Sequence, residues 1–159
     1  MALFSSFNIA SSGMTAQRLR MDVISENIAN VKTTRTNEGG AYIRKNVVLN
    51  EKGNNYGIRT FSEIFDATRS GVGNGVKATA IVNDTDTPME LVYDPSHPDA
   101  DENGYVTYPN VNIITEMTDL IDASRSYEAN ATAFEASKSM ASKGLLIIQI
   151  EVGNTYVNS

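Results

Sequence analysis

Apolar side chains recur at alternating steps of four and three residues at both ends of the chain. The first row runs from Leu3 to Val31 with only Gln17 polar, and the second runs from Ile113 to Ile148. A seven-residue repeat of this kind is typical of helices that pack along a coiled-coil seam. A helix that leaves a domain and one that returns to it run antiparallel. The pattern therefore predicts an α+β fold whose long terminal helices, with heptad repeats, form an antiparallel coiled-coil-like stem.

Between the two helices the period changes, and short segments with alternating side chains are separated by glycine, asparagine and proline. Such segments predict β-strands. They are 41–49, 75–82, 89–93 and 104–108. Phe61, Ile64 and Phe65 stand at helical spacing and predict one short turn packed against the sheet. The sequence therefore predicts a small β-rich domain inserted between the helices.

Capping residues set the predicted boundaries. The first helix is expected to begin between Asn8 and Ser12, whose side chains can accept hydrogen bonds from backbone N–H groups, and to end near Lys32. The last helix is expected to begin near Asn112, three residues after Pro109. The predicted parts are an N-terminal helix over 1–36, a β-rich middle domain over 37–111, a C-terminal helix over 112–150 and a tail over 151–159.

Composition excludes several classes of function. The 159 residues include no cysteine, which removes disulfides, thiol catalysis and cysteine-ligated zinc. The net charge of −6 argues against a nucleic-acid partner, because phosphate binding needs clustered Lys and Arg. No apolar run has the length of a membrane span. Residues 1–7 lack the basic region of a cleaved secretory signal, so we expect any export to use another route.

The charges are distributed unevenly along the chain. Residues 1–80 hold ten basic and six acidic side chains, whereas residues 81–159 hold three basic and thirteen acidic ones. One interpretation is that regions of opposite sign guide neighbouring subunits together. The alternative is that two solvated helix faces simply differ in charge.

The only histidine, His97, invites a hydrolase interpretation because Ser96 and Asp99 lie close to it in the sequence. A catalytic triad, however, is assembled from separate elements, and neighbours in an extended, proline-flanked turn do not point at one another. We therefore predict a turn histidine, and the sequence contains no catalytic constellation.

A second motif resembles the first half of a calcium-binding EF-hand loop. Asp99, Asp101 and Asn103 stand at alternate positions and Gly104 follows them. The match then fails, because the twelfth position, which should supply a bidentate Glu, is Asn110. We predict a tight turn stabilised by these side chains, with no bound metal.

Three stretches resemble bacterial flagellar rod and hook proteins. The stretch 15–36, TAQRLRMDVISENIANVKTTRT, contains a core similar to their N-terminal signature, and 123–140, ASRSYEANATAFEASKSM, resembles their C-terminal helix. The stretch 94–112, DPSHPDADENGYVTYPNVN, is similar to the region that marks one member, a proximal rod protein. The chain thus resembles the flagellar basal-body rod protein family across both helices and the entry to the second.

This resemblance implies a structural subunit of the flagellar basal body that is exported without cleavage by the flagellar type III apparatus. It implies self-assembly through the terminal helices into a helical tube, the proximal rod, which transmits motor torque. The implied partners are copies of the chain, other rod proteins and the proteins that join the rod to the membrane ring, with no cofactor. Asn27 and Asn30 of the signature are expected to hydrogen-bond between neighbouring helices, or alternatively to end the first helix.

The residues expected to line contacts between subunits are seam positions of both helices and the signature asparagines. They are Met14, Met21, Ile24, Asn27, Ile28, Asn30, Val31, Met117, Leu120, Ser124, Tyr127, Ala131 and Phe134. Two other classes stay open. One is a soluble helical adaptor or flagellar export chaperone, which self-assembly into filaments would contradict. The other is an enzyme with its site in the β-rich middle, which stabilisation by a metal or substrate would favour.

Overall fold

Two long helices flank four short strands in the computed structural model, which describes residues 2–37, 39–52 and 74–157. The helices are α1 (Ala2–Ala29) and α2 (Ile113–Val157), and the strands are β1 (Lys45–Glu51), β2 (Val76–Asn83), β3 (Glu90–Tyr93) and β4 (Tyr105–Tyr108). This order confirms the predicted α+β fold with strands between terminal helices. The turn predicted at Phe61, Ile64 and Phe65 lies outside the described residues.

Helix α1 begins at Ala2, so the predicted start between Asn8 and Ser12 is wrong. The polar side chains in this region bond back to the preceding turn instead of capping a helix end. The Ser12 hydroxyl donates to the carbonyl of Ile9 at 2.7 Å, and the Thr15 hydroxyl donates to the carbonyl of Ser11 at 2.9 Å. Serine and threonine fit a helix interior when they do this.

The other end of α1 also differs from the prediction, because the helix stops at Ala29 and not near Lys32. Asn30 accounts for the early stop. Its amide donates to the carbonyl of Glu26 at 2.9 Å, and its side-chain oxygen accepts the Thr33 hydroxyl at 3.1 Å. The Asn30 side chain therefore bonds within the last turn of α1, where the Glu26 carbonyl also accepts the backbone N–H of Asn30 at 3.1 Å.

Helix α2 begins where the sequence predicts. The side-chain oxygen of Asn112 accepts hydrogen bonds from the backbone N–H groups of Ile114 (3.0 Å) and Thr115 (3.3 Å), which is an N-cap. The helix continues to Val157, beyond the predicted end at residue 150.

The four predicted strands are all present with shifted bounds, and they form two separate antiparallel pairs. In the first sheet, β1 pairs with β2 from Lys45 opposite Asn83 to Glu51 opposite Val76. In the second sheet, β3 pairs with β4, and Tyr93 lies opposite Tyr105. Both sheets are tied to the region of α1: the Ser12 hydroxyl accepts the backbone N–H of β2, and Asp99 beside the second sheet accepts the Thr34 hydroxyl.

The two helices pack antiparallel against each other. Four contacts, taken in order along α1, are Phe7 with Phe134, Gly13 with Asn130, Arg20 with Asp119 and Asn27 with Glu116. Residue numbers rise along α1 as they fall along α2, as the sequence predicts for a helix that leaves the domain and one that returns.

The contact between the helices does not follow the most apolar positions. On α1 it uses Gly13, Arg20 and Asn27, each one residue before Met14, Met21 and Ile28 of the predicted seam. On α2 the corresponding residues are Glu116, Ala123 and Asn130, each one residue before Met117, Ser124 and Ala131. One residue turns a helix by about 100°. These stretches of the helix pair are therefore closed by small and polar residues, and the Phe7–Phe134 pair adds an aromatic contact at one end. Met14, Met21 and Ile28 lie beside the contact.

Candidate functional site

A polar network lies where the two helices meet the first sheet, and Asn27 is at its centre. The Asn27 side chain is completely buried, at 0% exposure. Its amide donates to the Glu116 carboxylate at 3.0 Å and to the Lys45 carbonyl at 2.9 Å. Its oxygen accepts the Tyr42 hydroxyl and the Lys45 backbone N–H, both at 2.9 Å. All four hydrogen bonds available to an asparagine side chain are thus made, and they join α1, α2 and β1.

Glu116 supplies the charge in this network. It lies in the first turn of α2, is also 0% exposed, and its carboxylate accepts the Arg44 side chain at 2.6 Å. Arg44 is also 3.5 Å from Asp84 and 3.5 Å from Asp119. One guanidinium therefore faces three carboxylates, and it ties the start of the first sheet to α2. A buried carboxylate needs such a partner, because an uncompensated charge there is costly.

Asn110 extends these contacts to the turn between the two sheets. Its oxygen accepts the backbone N–H of Arg44 at 2.8 Å, and its amide donates to the carbonyls of Asp84 (2.8 Å) and Thr87 (3.1 Å). We call Asn27, Tyr42, Arg44, Asp84 and Glu116 the inner network. With Asn110 at its edge, the inner network fixes the first sheet against both helices.

Ionisation states in the inner network follow from its contacts. Burial, with smaller contributions from Glu26 and Glu116, raises the pKa of Tyr42 to about 12. Burial alone lowers the pKa of Arg44, but the hydrogen bond and charge of Glu116, with those of Asp84, raise it above its usual value. The backbone N–H and hydroxyl of Thr87 lower the pKa of Asp84, against a small opposing effect of desolvation. The network therefore holds a neutral phenol, a cation and an ionised Asp84 at neutral pH.

Most of the ion pairs use the uneven charge distribution within the chain. Among the described residues, five pairs join a basic side chain of residues 1–80 to an acidic one of residues 81–159. They are Arg20–Asp119, Arg35–Asp99, Arg44–Asp84, Arg44–Glu116 and Arg44–Asp119. Basic residues of the first half and acidic residues of the second half are thus paired within one chain, which differs from both interpretations of the sequence.

One side of α1 is apolar and faces away from the first sheet. The Ser12 hydroxyl bonds to β2 and Glu26 pairs with β1, so these two residues mark the side that faces the sheet. A residue two positions later turns by about 200° and points to nearly the opposite side. Met14, Met21 and Ile28 occupy that opposite side and are half-buried.

Helix α2 completes this apolar side. Asp119 contacts Arg44 and marks the side of α2 that faces the sheet, whereas Met117 and Ser124 lie nearly opposite to it. We define the outer helix face as these positions with their half-buried neighbours on both helices. It comprises Met14, Met21, Ile28, Met117, Leu120, Ser124, Tyr127 and Ala131.

The first three turns of α2 expose further large apolar side chains next to this face. Ile114 is 77% exposed, Met117 is 54% exposed and Ile121 is 51% exposed. A helix on the surface of a monomer normally presents charged and polar residues to water on the side opposite its core. A row of exposed isoleucine and methionine is the kind of patch that marks a contact with another protein.

The predicted subunit-contact residues fall into three groups by burial. Ile24 and Asn27 are buried within the chain, and Met117 is exposed. The half-buried ones are Met14, Met21, Ile28, Asn30, Val31, Leu120, Ser124, Tyr127, Ala131 and Phe134. Of these, Phe134 packs edge-to-face against Phe7 with ring centroids 5.0 Å apart, so it serves the contact between the helices of one chain.

The motif around His97 and the motif that resembles an EF-hand loop both lie in the turn before β4. The His97 ring accepts the backbone N–H of Asp99 at 3.1 Å, as expected for a turn histidine. The Asp101 carboxylate accepts the backbone N–H groups of Asn103 (2.9 Å) and Tyr105 (2.8 Å), which confirms its predicted turn role. Asp99 differs from the prediction because it accepts the Thr34 hydroxyl at 2.8 Å and so joins this turn to the end of α1.

Gly104 is the position where this turn requires glycine. Its φ of +82° lies in the left-handed region, and an added Cβ would stand 3.0 Å from the Tyr93 ring. Within the described ranges no group of three or more His, Cys, Asp and Glu is placed to hold a metal ion. No described helix combines the length and apolar character that a membrane span requires.

Sequence reasoning missed Gly13, Tyr42, Arg44 and Glu116. One signal for Gly13 was available, because a glycine inside a helical pattern costs about 1 kcal/mol relative to alanine and therefore raises the question of a packing role. An added Cβ at Gly13 would stand 2.6 Å from the side-chain oxygen of Asn130 on α2. The other three had no local signal, since the partners of Glu116 are 72 and 89 residues away in the sequence.

Comparisons with known proteins match both helices. Residues 7–35 match the family of flagella basal body rod proteins, and residues 102–146 match the C-terminal family of flagellar basal body rod FlgEFG proteins. The flagellar basal-body rod protein FlgC of Borreliella burgdorferi is 51% identical over 154 residues, which cover 94% of this chain and 99% of that protein. The chain belongs to the FlgC family of flagellar basal-body rod proteins.

Two further FlgC proteins show the range of this similarity. That of Bacillus subtilis is 47% identical and covers 92% of this chain and 99% of its own length, and that of Salmonella typhimurium is 36% identical and covers 94% and 100%. The predicted family is therefore confirmed. As a member of the FlgC family, the chain is a structural rod subunit of the flagellar basal body, and its surfaces serve contacts with other rod components.

Proposed function

We propose that the chain assembles through its outer helix face into the proximal part of the rod, as a helical tube that transmits motor torque. The observation that supports this proposal most is the position of the apolar residues. The helices of one chain contact each other through small and polar residues along much of their length, so apolar side chains beside that contact, such as Met21, Ile28 and Met117, remain available for neighbours. The finer form of the stem, a coiled coil, then arises between copies or between related rod proteins.

The physical basis is a division of contacts. Burying a large apolar side chain contributes about 1.5–3 kcal/mol, and association through several of them offsets the cost of ordering two chains. Met21, Ile28, Ile114 and Met117 are large enough to supply such contacts. The inner network meanwhile fixes the antiparallel helix pair before any neighbour arrives, because its hydrogen bonds are all made within one chain.

A tube follows if the contact is heterologous. When one surface of a copy meets a different surface of the next and the rotation does not close a ring, the contact repeats and builds an open helical array. Two helices on each copy, with apolar positions on both, offer two different surfaces for this purpose. A shaft held by continuous apolar packing resists twisting along its whole length, as transmission of torque requires.

The remaining elements of the proposal concern partners and export. Membership in a rod family supports other rod proteins as neighbours above and below in the shaft. We extend this to the proteins that join the rod to the membrane ring, and to the flagellar type III apparatus as the route of export. We also propose that the role is mechanical rather than catalytic, since the inner network uses its charged groups to hold elements together.

Charge insertion into the outer helix face tests this proposal. In a strain that carries only the variant chain, Met21→Asp and Ile28→Asp should abolish incorporation into basal bodies and motility, because an unpaired carboxylate in an apolar contact costs several kcal/mol. Ser25→Asp is the matched control, since Ser25 lies on the same helix and is exposed. It should leave motility intact.

Circular dichroism of the purified variants should show that all three stay folded. Normal basal bodies containing the Met21→Asp and Ile28→Asp chains would overturn the proposal. So would purified wild-type chain that binds exported rod proteins transiently and is absent from basal bodies, since that is the behaviour of an adaptor or export chaperone.

A further inference from the structure

The outer side of the second sheet is an exposed aromatic surface. Leu91, Tyr93 and Tyr105 lie on one side of the β3–β4 pair, because Tyr93 is directly opposite Tyr105 and Leu91 is two residues before Tyr93. They are 66%, 64% and 45% exposed, and the two tyrosine rings pack edge-to-face with centroids 5.2 Å apart. Val106, on the other side of the sheet, is completely buried. The sheet thus has one side that packs against its own chain at Val106, with Val92 still 38% exposed beside it, and one aromatic side turned outward.

The segment of the chain that carries this aromatic surface has charges of a single sign, and the nearby cation Arg35 is paired with Asp99 of the same turn at 3.9 Å. Between Lys77 and Arg125 the sequence contains no lysine or arginine, and the turn that leads into β4 carries Asp101 and Glu102, both exposed. Tyrosine is enriched in protein interfaces, where its ring packs and its hydroxyl meets the polar rim. An aromatic patch with an acidic rim is complementary to a depression that contains apolar side chains and has basic groups at its edge.

The same chain carries a groove between α1 and the first sheet that has basic groups at its edge. It is open, has a volume of about 450 Å³, and is lined by the polar residues Asn8, Ser11, Ser12 and Thr15 as well as by Ala16, Leu19, Val76 and Ala78. Lys52 and Lys77 also line it and are exposed, and none of the described residues that line it carries a carboxylate. The groove therefore offers the basic groups that complement the acidic residues around the aromatic surface.

The two surfaces belong to different ends of the molecule. The groove contacts α1 between Asn8 and Leu19, whereas the second sheet is tied to Thr34, beyond the end of α1. From Ser12 to Ala29 the helix alone spans about 25 Å. Within one copy, this distance keeps the second sheet away from the groove. The two complementary surfaces can therefore meet only between copies.

We propose that the Leu91, Tyr93 and Tyr105 surface of one copy docks in the groove between α1 and the first sheet of a neighbouring copy. Glu102 and Asp101 then lie near Lys77 and Lys52 of the neighbour, and Leu91 with the tyrosine rings covers Leu19 and Ala78. The contact is heterologous and therefore repeats from copy to copy. It rests on the proposed function and adds to it a second contact, independent of the outer helix face.

The absence of cysteine makes cross-linking a direct test. A chain with Lys77→Cys and Glu102→Cys should form covalent dimers and larger species when basal bodies that contain it are treated with a short bismaleimide. The same chain as a dilute monomer should form none. A chain with Lys77→Cys and Asp86→Cys is the control, because Asp86 is exposed in the turn before β3 and lies outside the proposed contact. It should form no covalent species in either state.

A charge exchange provides the second measurement. Lys77→Glu should reduce incorporation into basal bodies about tenfold, because it places like charges together in the contact. Adding Glu102→Lys to the same chain should restore it. If the cysteine variant fails to enter basal bodies, this pair decides, and absence of rescue overturns the proposal.

The outcomes also separate this contact from the outer helix face. Basal bodies that contain the cysteine variant without covalent dimers would overturn the docking of the second sheet and leave helix-mediated assembly intact. Incorporation of the Met21→Asp chain would instead contradict helix-mediated assembly, whatever the cross-linking shows.

Discussion

The contact between the helices and the outer helix face use positions that are one residue apart in the sequence, but the side chains at these positions differ in polarity and size. Gly13, Asn27 and Glu116 lie in the contact between the helices, and Met14, Ile28 and Met117, each the next residue, lie on the outer helix face. At these positions the contact within the chain is polar or small, while the next residue along each helix is apolar and half-buried or exposed. An ordinary helical hairpin buries its whole apolar stripe. This pair buries only part of it, such as Ile24 and the Phe7–Phe134 contact.

The difference shows how a subunit can fix the alignment of its own helices before assembly and still bind its neighbours through apolar contacts during assembly. Hydrogen bonds such as those of Asn27 require one alignment of the helices, because any other would leave buried polar groups without partners. Apolar contacts are less directional and supply most of their free energy only when a neighbour removes them from water. The first kind of contact therefore suits the fold of one chain, and the second suits the contact between chains.

Removal of Glu116 should have the largest effect on the isolated chain. Glu116→Ala removes the closest partner of Arg44 and one acceptor of the Asn27 amide. Loss of one member of a buried ion pair costs about 3–5 kcal/mol. Because Arg44 is partly exposed and keeps Asp84 and Asp119 at 3.5 Å, we expect a loss at the lower end of that range, about 3 kcal/mol. Glu128→Ala is the control, because Glu128 is exposed on the same helix and its loss should cost less than about 0.5 kcal/mol. Urea denaturation followed by circular dichroism measures both. Equal midpoints for the two variants would contradict the assignment of the inner network.

Closer packing at Gly13 should have the next largest effect. The Cβ of Gly13→Ala would stand 2.6 Å from the side-chain oxygen of Asn130, so either the helices shift or the Asn130 side chain moves and gives up its 2.7 Å hydrogen bond to the Ser126 carbonyl, at a cost of about 1–3 kcal/mol. Gly144→Ala is the matched control: nothing lies within 4 Å of its added Cβ, and the gain in helix propensity should stabilise the chain by up to about 1 kcal/mol. Asn130→Ala in the Gly13→Ala chain should recover part of the loss. A Gly13→Ala chain as stable as Gly144→Ala would show that the helices do not approach as described.

Acid should weaken the inner network and leave the outer helix face unaffected. The pKa of Asp84 is lowered in the folded chain by the Thr87 hydrogen bonds, so Asp84 stabilises the fold above the unfolded value of about 3.9, and this contribution is lost as the pH falls through the lower folded value. Asp84→Asn should therefore flatten the loss of stability between pH 5 and about pH 3, measured by urea midpoints. Asp86→Asn, two residues away, keeps the Asp84 carboxylate and should retain the wild-type slope. An unchanged slope in Asp84→Asn would be evidence against this role.

Much of the fold could be predicted from local pattern. The two helices, the four strands, the Asn112 cap and the turn role of Asp101 all follow from residue type and spacing over a few positions. The errors at the ends of α1 have a local cause too, because Ser12 bonds back to its own helix and Asn30 bonds within the last turn. Sequence alone does not decide whether such a residue caps a helix or continues it.

The inner network could not be predicted in the same way. Glu116 looks like an acidic residue placed to favour the helix N-terminus, and only the fold brings Arg44 to it from 72 residues away. Hydrophobic periodicity also marks which positions are apolar, not which neighbour covers them. A chain that assembles makes one contact between its own helices and another with neighbouring chains. Its most apolar helix positions need not lie in the contact between its own helices.

The smallest effect on the isolated chain should come from the residue next to Glu116. Met117→Gln keeps the length of the side chain and adds a polar amide at a position that is 54% exposed, so it should change the stability of the monomer by less than about 0.5 kcal/mol. In basal bodies the same amide would enter the outer helix face without a partner, at a cost of about 1–3 kcal/mol per contact, and incorporation should fall. Glu116→Gln introduces the same residue one position earlier and should have the opposite balance of effects. It removes the buried charge that pairs with Arg44, so it should lower the stability of the monomer itself. Two variants that lower monomer stability equally would mean that one residue along α2 does not separate the contact within a chain from the contact between chains.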